Sequence, residues 1–262
     1  ITTPGDNTVA TAKLQNLAVT TAKIAADAVD GTKIADDAVN IEHIASGFKL
    51  VTTDAQNNTV VGTNAGDSFS GTDAVGNTLI GKDAGTAITT GDYNISIGIE
   101  SLDATTTGSY NTAIGRQALT SNTTASYNDG LGYYALGTNS TGQYNVALGS
   151  KTLAANTTAS YNTAVGYEAL NDNTTGAENC AFGFETLDAN TTGSSNTAYG
   201  SNALTANTTA SNNTAVGKGT LDANTTGSNN TAIGYNSLSS NTTAGDNVAI
   251  GKDSMYGNTT GT

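Results

Sequence analysis

The sequence predicts an all-β fold, a β-solenoid or β-roll. Three observations lead to it: a 17-residue repeat, two apolar places in each repeat, and few charged residues. A pentapeptide that begins with Asn and ends with Gly, such as NTAIG at 111–115, marks each repeat. Eleven copies follow without an insertion and begin at Asn77, Asn94, Asn111, Asn128, Asn145, Asn162, Asn179, Asn196, Asn213, Asn230 and Asn247. A unit this short cannot bury an apolar face alone, so we expect successive units to stack around one core.

Each unit reads N-T-A-I-G-x-x-A-L-x-x-N-T-T-G/A-S-x, and its places are numbered from this Asn. The fourth place is apolar in every copy, from Ile80 to Ile250, and we expect it to lie inside together with the ninth place. The ninth place is leucine at Leu102, Leu119, Leu136, Leu153, Leu170, Leu187, Leu204, Leu221 and Leu238. Two strands of about five residues and two turns per unit, stacked at about 4.8 Å, predict a rod of about 53 Å.

The twelfth place is Asn in nine successive copies, among them Asn122, Asn156, Asn190 and Asn224. Stacked identical amides hydrogen-bond to one another, so we expect a structural ladder that joins coil to coil. Each of these residues is followed by Thr-Thr and so matches the N-glycosylation sequon. The match follows from the repeat itself, and we expect a buried ladder rather than a glycan acceptor.

The third and fourth places point to opposite faces of a strand, and both are apolar in most copies. The third place is Ala, with Gly two residues on, which leaves room for another backbone. We therefore expect the Ala face to pack between chains, most simply around a three-fold axis. The alternative is a monomeric rod whose Ala face contacts solvent.

A different repeat precedes the solenoid, in which Lys13, Lys23, Lys33 and His43 are spaced ten residues apart. Ten is not a coiled-coil period, so we expect an interwoven shaft that needs partner chains. The predicted organisation is a leading segment at 1–8, the ten-residue-repeat shaft at 9–48, a junction and leading coil at 49–76, and eleven coils at 77–262. The last coil stops one residue short at Thr262, so we expect the natural protein to continue.

The composition argues against several classes of function. Charged residues make up 12% of the chain, against roughly 25% in ordinary domains. The net charge is −13, and no cluster of Lys and Arg is present, so we expect no nucleic-acid binding. The same charge disfavours anionic lipid surfaces. No apolar run approaches the roughly 20 residues of a membrane-spanning helix, so we expect no membrane insertion.

Residues able to perform catalysis are few. His43 occupies the Lys place of the ten-residue repeat, and Cys180 replaces a Thr in the coil. Asp103, Asp188 and Asp222 share the tenth place and could align to hold an ion, but the calcium-binding G-G-x-G-x-D nonapeptide is absent. We therefore predict no enzyme activity, no catalytic residue, no metal site and no cofactor.

An aromatic column is predicted at the last place of five successive coils. It consists of Tyr93, Tyr110, Tyr127, Tyr144 and Tyr161. Flat rings suit sugar rings, so this column is a possible glycan contact. The alternative is that the tyrosines stack and stiffen the rod.

The repeat NTAIG…AL..NTTG..N resembles that of bacteriophage tail-fibre proteins, especially those of marine phages and those that end in an endosialidase-type self-cleaving chaperone. The VTTAKIA and VDGTKIADDAV segments resemble shaft repeats of such fibres. A looser similarity is to the head repeats of trimeric autotransporter adhesins, whose NSVAIG-like coils build a trimeric β-roll. Together the two repeats cover nearly the whole chain.

This resemblance implies a homotrimeric structural segment of a virion fibre. The segment would space or present a tip that binds the host receptor, with other fibre or tail proteins at its ends. The catalytic Ser and Lys of the chaperone have no counterpart in this chain. The alternatives are the passenger segment of a bacterial surface adhesin and, less favoured, an ice-binding solenoid. Adjacent threonines such as Thr123 and Thr124 point to opposite faces, which does not suit an ice-binding array.

Overall fold

The computed structural model of the chain describes residues 55–69 and 73–261. The predicted ten-residue-repeat shaft, with His43, lies outside the described residues. So do residues 49–54 and 70–72 of the predicted junction and leading coil.

The described residues form an all-β solenoid whose strands lie in one parallel sheet. The twelve strands pair in sequence order, β1 to β12, and no helix occurs in the part of the chain that is described. They are β1 Thr59–Val61, β2 Thr78–Ile80, β3 Ile95–Ile97, β4 Thr112–Ile114, β5 Asp129–Leu131, β6 Val146–Leu148, β7 Thr163–Val165, β8 Cys180–Phe182, β9 Thr197–Tyr199, β10 Thr214–Val216, β11 Thr231–Ile233 and β12 Val248–Ile250.

Each coil contains one strand of three residues, so the prediction of two five-residue strands per coil is wrong. The reason lies in the backbone, which leaves the extended region at four places of each coil. In one coil these places are Tyr144, Gly149, Lys151 and Leu153, with φ angles of 57°, 141°, 55° and 51°. These turns bring the chain back beside its start after 17 residues. Each strand from β2 to β11 therefore pairs with the strand 17 residues further on, as Thr163 does with Cys180.

Hydrogen bonds between coils extend well beyond the strands. The Lys151 N–H donates to the Tyr133 carbonyl at 2.8 Å, and the Leu153 N–H donates to the Ala169 carbonyl at 3.0 Å. A coil therefore bonds through its turns to both neighbours. This bonding satisfies backbone groups that would otherwise be buried without a partner.

The interior holds the third-place Ala and the ninth-place Leu, and the fourth-place side chains point outward. In β4, for example, Ala113 is fully buried whereas Ile114 is 36% exposed. The expectation that the fourth place lies inside with the leucines is therefore wrong. The interior of a 17-residue coil is narrow, and fully buried leucines such as Leu119 fill it, so the facing strand has room only for a methyl group. All nine ninth-place leucines are fully buried.

This arrangement also overturns the expectation that the Ala face packs between chains. The Ala side chains belong to the core of their own solenoid, from Ala113 to Ala249. The glycine two residues on is approached by backbone, as expected, but by the next coil of the same chain. A Cβ atom on Gly149 would lie 2.5 Å from the Gly166 carbonyl oxygen.

Two columns of buried Asn amides join the coils. In the twelfth-place column, the Asn190 amide donates to Asn173 Oδ1 at 2.8 Å and to the Gly193 carbonyl at 3.0 Å. The first place forms a second column that the sequence analysis did not identify. There the Asn111 backbone N–H and side-chain amide both donate to Asn94 Oδ1, at 3.0 and 3.1 Å. Because these amides are buried and hydrogen-bonded, the asparagines of the sequon matches lie inside the solenoid.

We expect two glycine-to-alanine substitutions to have opposite effects on stability. Gly149→Ala places a Cβ against the next coil at a φ of 141°, and it should lower the free energy of unfolding by about 2 kcal/mol or more. Gly130→Ala completes the third-place Ala column, where the nearest atoms lie 3.3 to 3.5 Å from the new Cβ, and it should raise that free energy by about 0.5 kcal/mol. Urea unfolding followed by circular dichroism measures both changes. A Gly149→Ala protein as stable as the wild type would contradict the close approach of the coils.

Candidate interaction surface

Four columns of side chains form one surface of the solenoid, which we call the outer sheet face. They are the second and fourth places, which point out of the strands, and the last and sixth places on either side of them. Around one strand these residues are Tyr144, the last residue of the preceding unit, followed by Val146, Leu148 and Ser150. The columns run along the solenoid axis because the strands are parallel and in register.

The fourth-place column makes the centre of this face apolar. It contains Ile, Val, Leu, Phe or Tyr in every coil, and half-exposed or exposed examples occur along the whole sheet. Leu148 is 44% exposed and Ile250 is 68% exposed, while the neighbouring Ala147 is fully buried. The second-place column adds Val146 and Val248, which are also exposed. A continuous apolar column therefore faces outward from β1 to β12.

One edge of the face carries the five tyrosines of the last place. Their rings stack in sequence from Tyr93 to Tyr161, with centroids 5.2, 5.1, 5.0 and 5.2 Å apart and interplanar angles of 21°, 3°, 6° and 4°. The rings remain about half exposed. Because each ring face lies against the next ring, the column presents mainly ring edges to its surroundings. The predicted glycan contact stays a prediction, and it applies to those edges.

The opposite edge of the face, at the sixth place, mixes aromatic and basic side chains. The Arg116 guanidinium lies 5.8 Å from the centroid of the Tyr133 ring, a cation–π distance. Further along, the Tyr167 and Phe184 rings stack with centroids 5.6 Å apart. This edge therefore offers aromatic rings and cations to whatever contacts the face.

Cys180 lies in the second-place column of the face, between threonines of the neighbouring coils. The thiol is free and half-buried, and burial raises its pKa. A raised pKa keeps the thiol protonated at neutral pH, which is unfavourable for a nucleophile. The geometry thus gives no support to a reactive cysteine.

The tenth-place aspartates do not assemble into a site. Asp103 and Asp188 are separated by five coils, and Asp188 and Asp222 by two. Burial raises the pKa of all three carboxyl groups, in the case of Asp188 to about 6, where Asp172 and Glu168 add to the effect. Within residues 55–69 and 73–261, no three His, Cys, Asp or Glu side chains are grouped so as to hold a metal ion.

Comparisons with known proteins identify no relative of this chain. No protein-family model matches the chain, and neither a curated protein nor a solved structure matches it. Of the residues described, none belongs to a helix long and apolar enough to cross a membrane.

Replacement of Asp188 should change how stability depends on pH. The folded-state pKa of Asp188, about 6, lies above the ordinary value of 3.8, so the folded state holds the proton more tightly and becomes less stable as the pH rises between these values. In addition, Asp188 Oδ1 is buried and accepts no hydrogen bond from any described residue. We expect Asp188→Asn to raise the thermal midpoint at about pH 7 and to leave it nearly unchanged at about pH 4.

The matched control is Asp172→Asn, an exposed carboxylate in the neighbouring coil. It should raise the midpoint less than Asp188→Asn, because it removes only one of the repulsions on Asp188. Differential scanning calorimetry across this pH range measures the changes. An equal gain from Asp188→Asn at both pH values would contradict the ionisation argument.

Proposed function

We propose that this chain is a structural segment of a bacteriophage tail fibre, one that spaces or presents a tip for attachment to the host receptor. It would act outside the cell as part of the virion, with other fibre or tail proteins at its ends. The proposal assigns no catalytic reaction and no cofactor to the chain. It draws on the resemblance of both repeats to tail-fibre repeats.

The observation that carries this proposal is the uniform pairing from β1 to β12. Each coil repeats the same three-residue strand and the same turns. Each coil therefore adds the same increment of about 4.8 Å to the length of the solenoid. A length set by the number of coils suits a spacing element. The passenger of a bacterial surface adhesin would use the same rod and is the alternative to this proposal.

The homotrimer is the second part of the proposal. Association is supported by the column of exposed or half-exposed apolar side chains that runs along the whole outer sheet face, because a second copy would remove this column from water. The number three comes from the resemblance to trimeric fibres. A glycan held at the ring edges of the tyrosine column remains a further candidate contact with the host surface.

Light scattering after gel filtration tests the trimer. We expect a solution mass near three times 26.1 kDa for the chain of 262 residues, because the apolar outer faces should be covered by other copies. A folded protein with the mass of one chain, at every concentration tested, would contradict the trimer and weaken the fibre proposal.

Deletion of one complete coil tests the spacing role. Removing residues 145–161 leaves every ladder in register, so we expect a folded solenoid shorter by about 4.8 Å in its maximum dimension by small-angle X-ray scattering. The control removes residues 145–153, which breaks the register, and it should lower the thermal midpoint strongly. Equal loss of stability in both proteins would contradict a solenoid built of interchangeable coils.

A further inference from the structure

We infer that copies of this chain bind one another side by side and in parallel through the outer sheet face, with the last-place edge of one copy against the sixth-place edge of the next. The inference rests on the proposed homo-oligomeric fibre and identifies its interface. This interface takes the place of the one expected at the Ala face, because the Ala side chains lie in the core.

The size and character of the face fit an interface between protein chains. Twelve strands at about 4.8 Å give a length of about 53 Å, and four outward columns give a width of about 20 Å, hence roughly 1,000 Å². A stable interface buries about 800 Å² on each partner. The outer sheet face is therefore large enough for a stable contact, with the apolar fourth-place column along its centre.

The period of the face favours a second copy over another partner. Its fourth-place side chains form ridges about 4.8 Å apart along the whole sheet, and packing them needs ridges with the same spacing on the other side. A second copy of the solenoid supplies that spacing over the full length. A short peptide or a glycan chain does not.

The two edges of the face complement one another when the copies are parallel and level. Around a common axis, the last-place residue that precedes each strand then faces the sixth-place residue that follows the same strand in the partner. Tyr110, whose ring faces are covered by Tyr93 and Tyr127, presents its edge and hydroxyl to Arg116 of the partner subunit, and that hydroxyl can accept a hydrogen bond from the guanidinium. Asp246 meets Lys252 of the partner subunit, which is an ion pair.

An antiparallel arrangement loses this complementarity because the two halves of the last-place column differ. The half from Tyr93 to Tyr161 is aromatic, whereas the later half is polar or acidic, with Glu178, Ser195, Asn212, Asn229 and Asp246. Turning one copy end over end places half-exposed tyrosine rings opposite Glu178 and the asparagines. The parallel arrangement instead places Arg116, Tyr133 and Tyr167 of the partner subunit opposite three of the five tyrosines.

Charged substitutions at the centre of the face provide the test. The variant Ile114→Asp with Leu148→Asp places two carboxylates in the fourth-place column of each copy. The matched control is Thr124→Asp with Thr158→Asp, at two exposed fourteenth-place residues outside the face. Gel filtration with light scattering is carried out on the full chain, and circular dichroism monitors the fold.

We expect the control to keep the wild-type oligomeric mass. The charged face variant, Ile114→Asp with Leu148→Asp, should have the mass of one folded chain. The milder variant Ile114→Thr with Leu148→Thr uses a β-branched residue that the strands already contain, so it should fold. It should raise the dissociation constant of the oligomer by at least about tenfold. Cys180 provides a second readout, because its thiol should react with a maleimide faster in either face variant than in the wild-type oligomer.

The outcomes separate this inference from the proposed function. If the wild type is oligomeric and both face variants keep its mass and its Cys180 labelling rate, the outer sheet face is not the interface, while the oligomeric fibre still stands. If the wild type has the mass of one chain, the inference and the trimer both fail. If the control dissociates as readily as the face variants, the effect belongs to added charge, and the inference is overturned.

Discussion

The backbone contact between successive coils is the constraint on which the rest of this structure depends. Each coil must follow the path of its neighbour closely enough for hydrogen bonds of about 2.8–3.0 Å at strands and turns alike, as at Lys151 and Leu153. This requires the same φ angles at the same places in every coil. It also requires Gly at the fifth place, where Gly149 lies against Gly166. A 17-residue period without insertions is the consequence.

This constraint makes the interior narrow and moves apolar side chains outward. One Leu, two Ala and two amide columns fill the space inside a coil, as with Leu119, Ala113 and Asn111. The larger fourth-place residues then have no place but the outer sheet face. The same geometry that stabilises a single solenoid therefore leaves it with an apolar column on its surface, which the proposed association of copies would cover.

The sequence predicted the β-solenoid class because an unbroken 17-residue period allows few other folds. It did not decide which of two adjacent apolar places lies inside, since Ala and Ile both suit burial. A signal was present: the third place stays small in nearly every coil, whereas the fourth varies from Val165 to Tyr199. Constant small size indicates a packed interior, and variable size indicates a surface. The turns with positive φ at Leu153 and similar residues could not be predicted, because leucine rarely adopts that conformation.

Electron cryomicroscopy of the full chain in solution tests the central claim most directly, since it shows both the number of copies and the direction in which the fourth-place side chains point. The account predicts parallel solenoids around a shared axis, with the fourth-place column buried between copies and the tyrosine column beside Arg116 and Tyr133 of the partner subunit. Parallel solenoids joined through another surface, with the fourth-place column facing solvent, would contradict it.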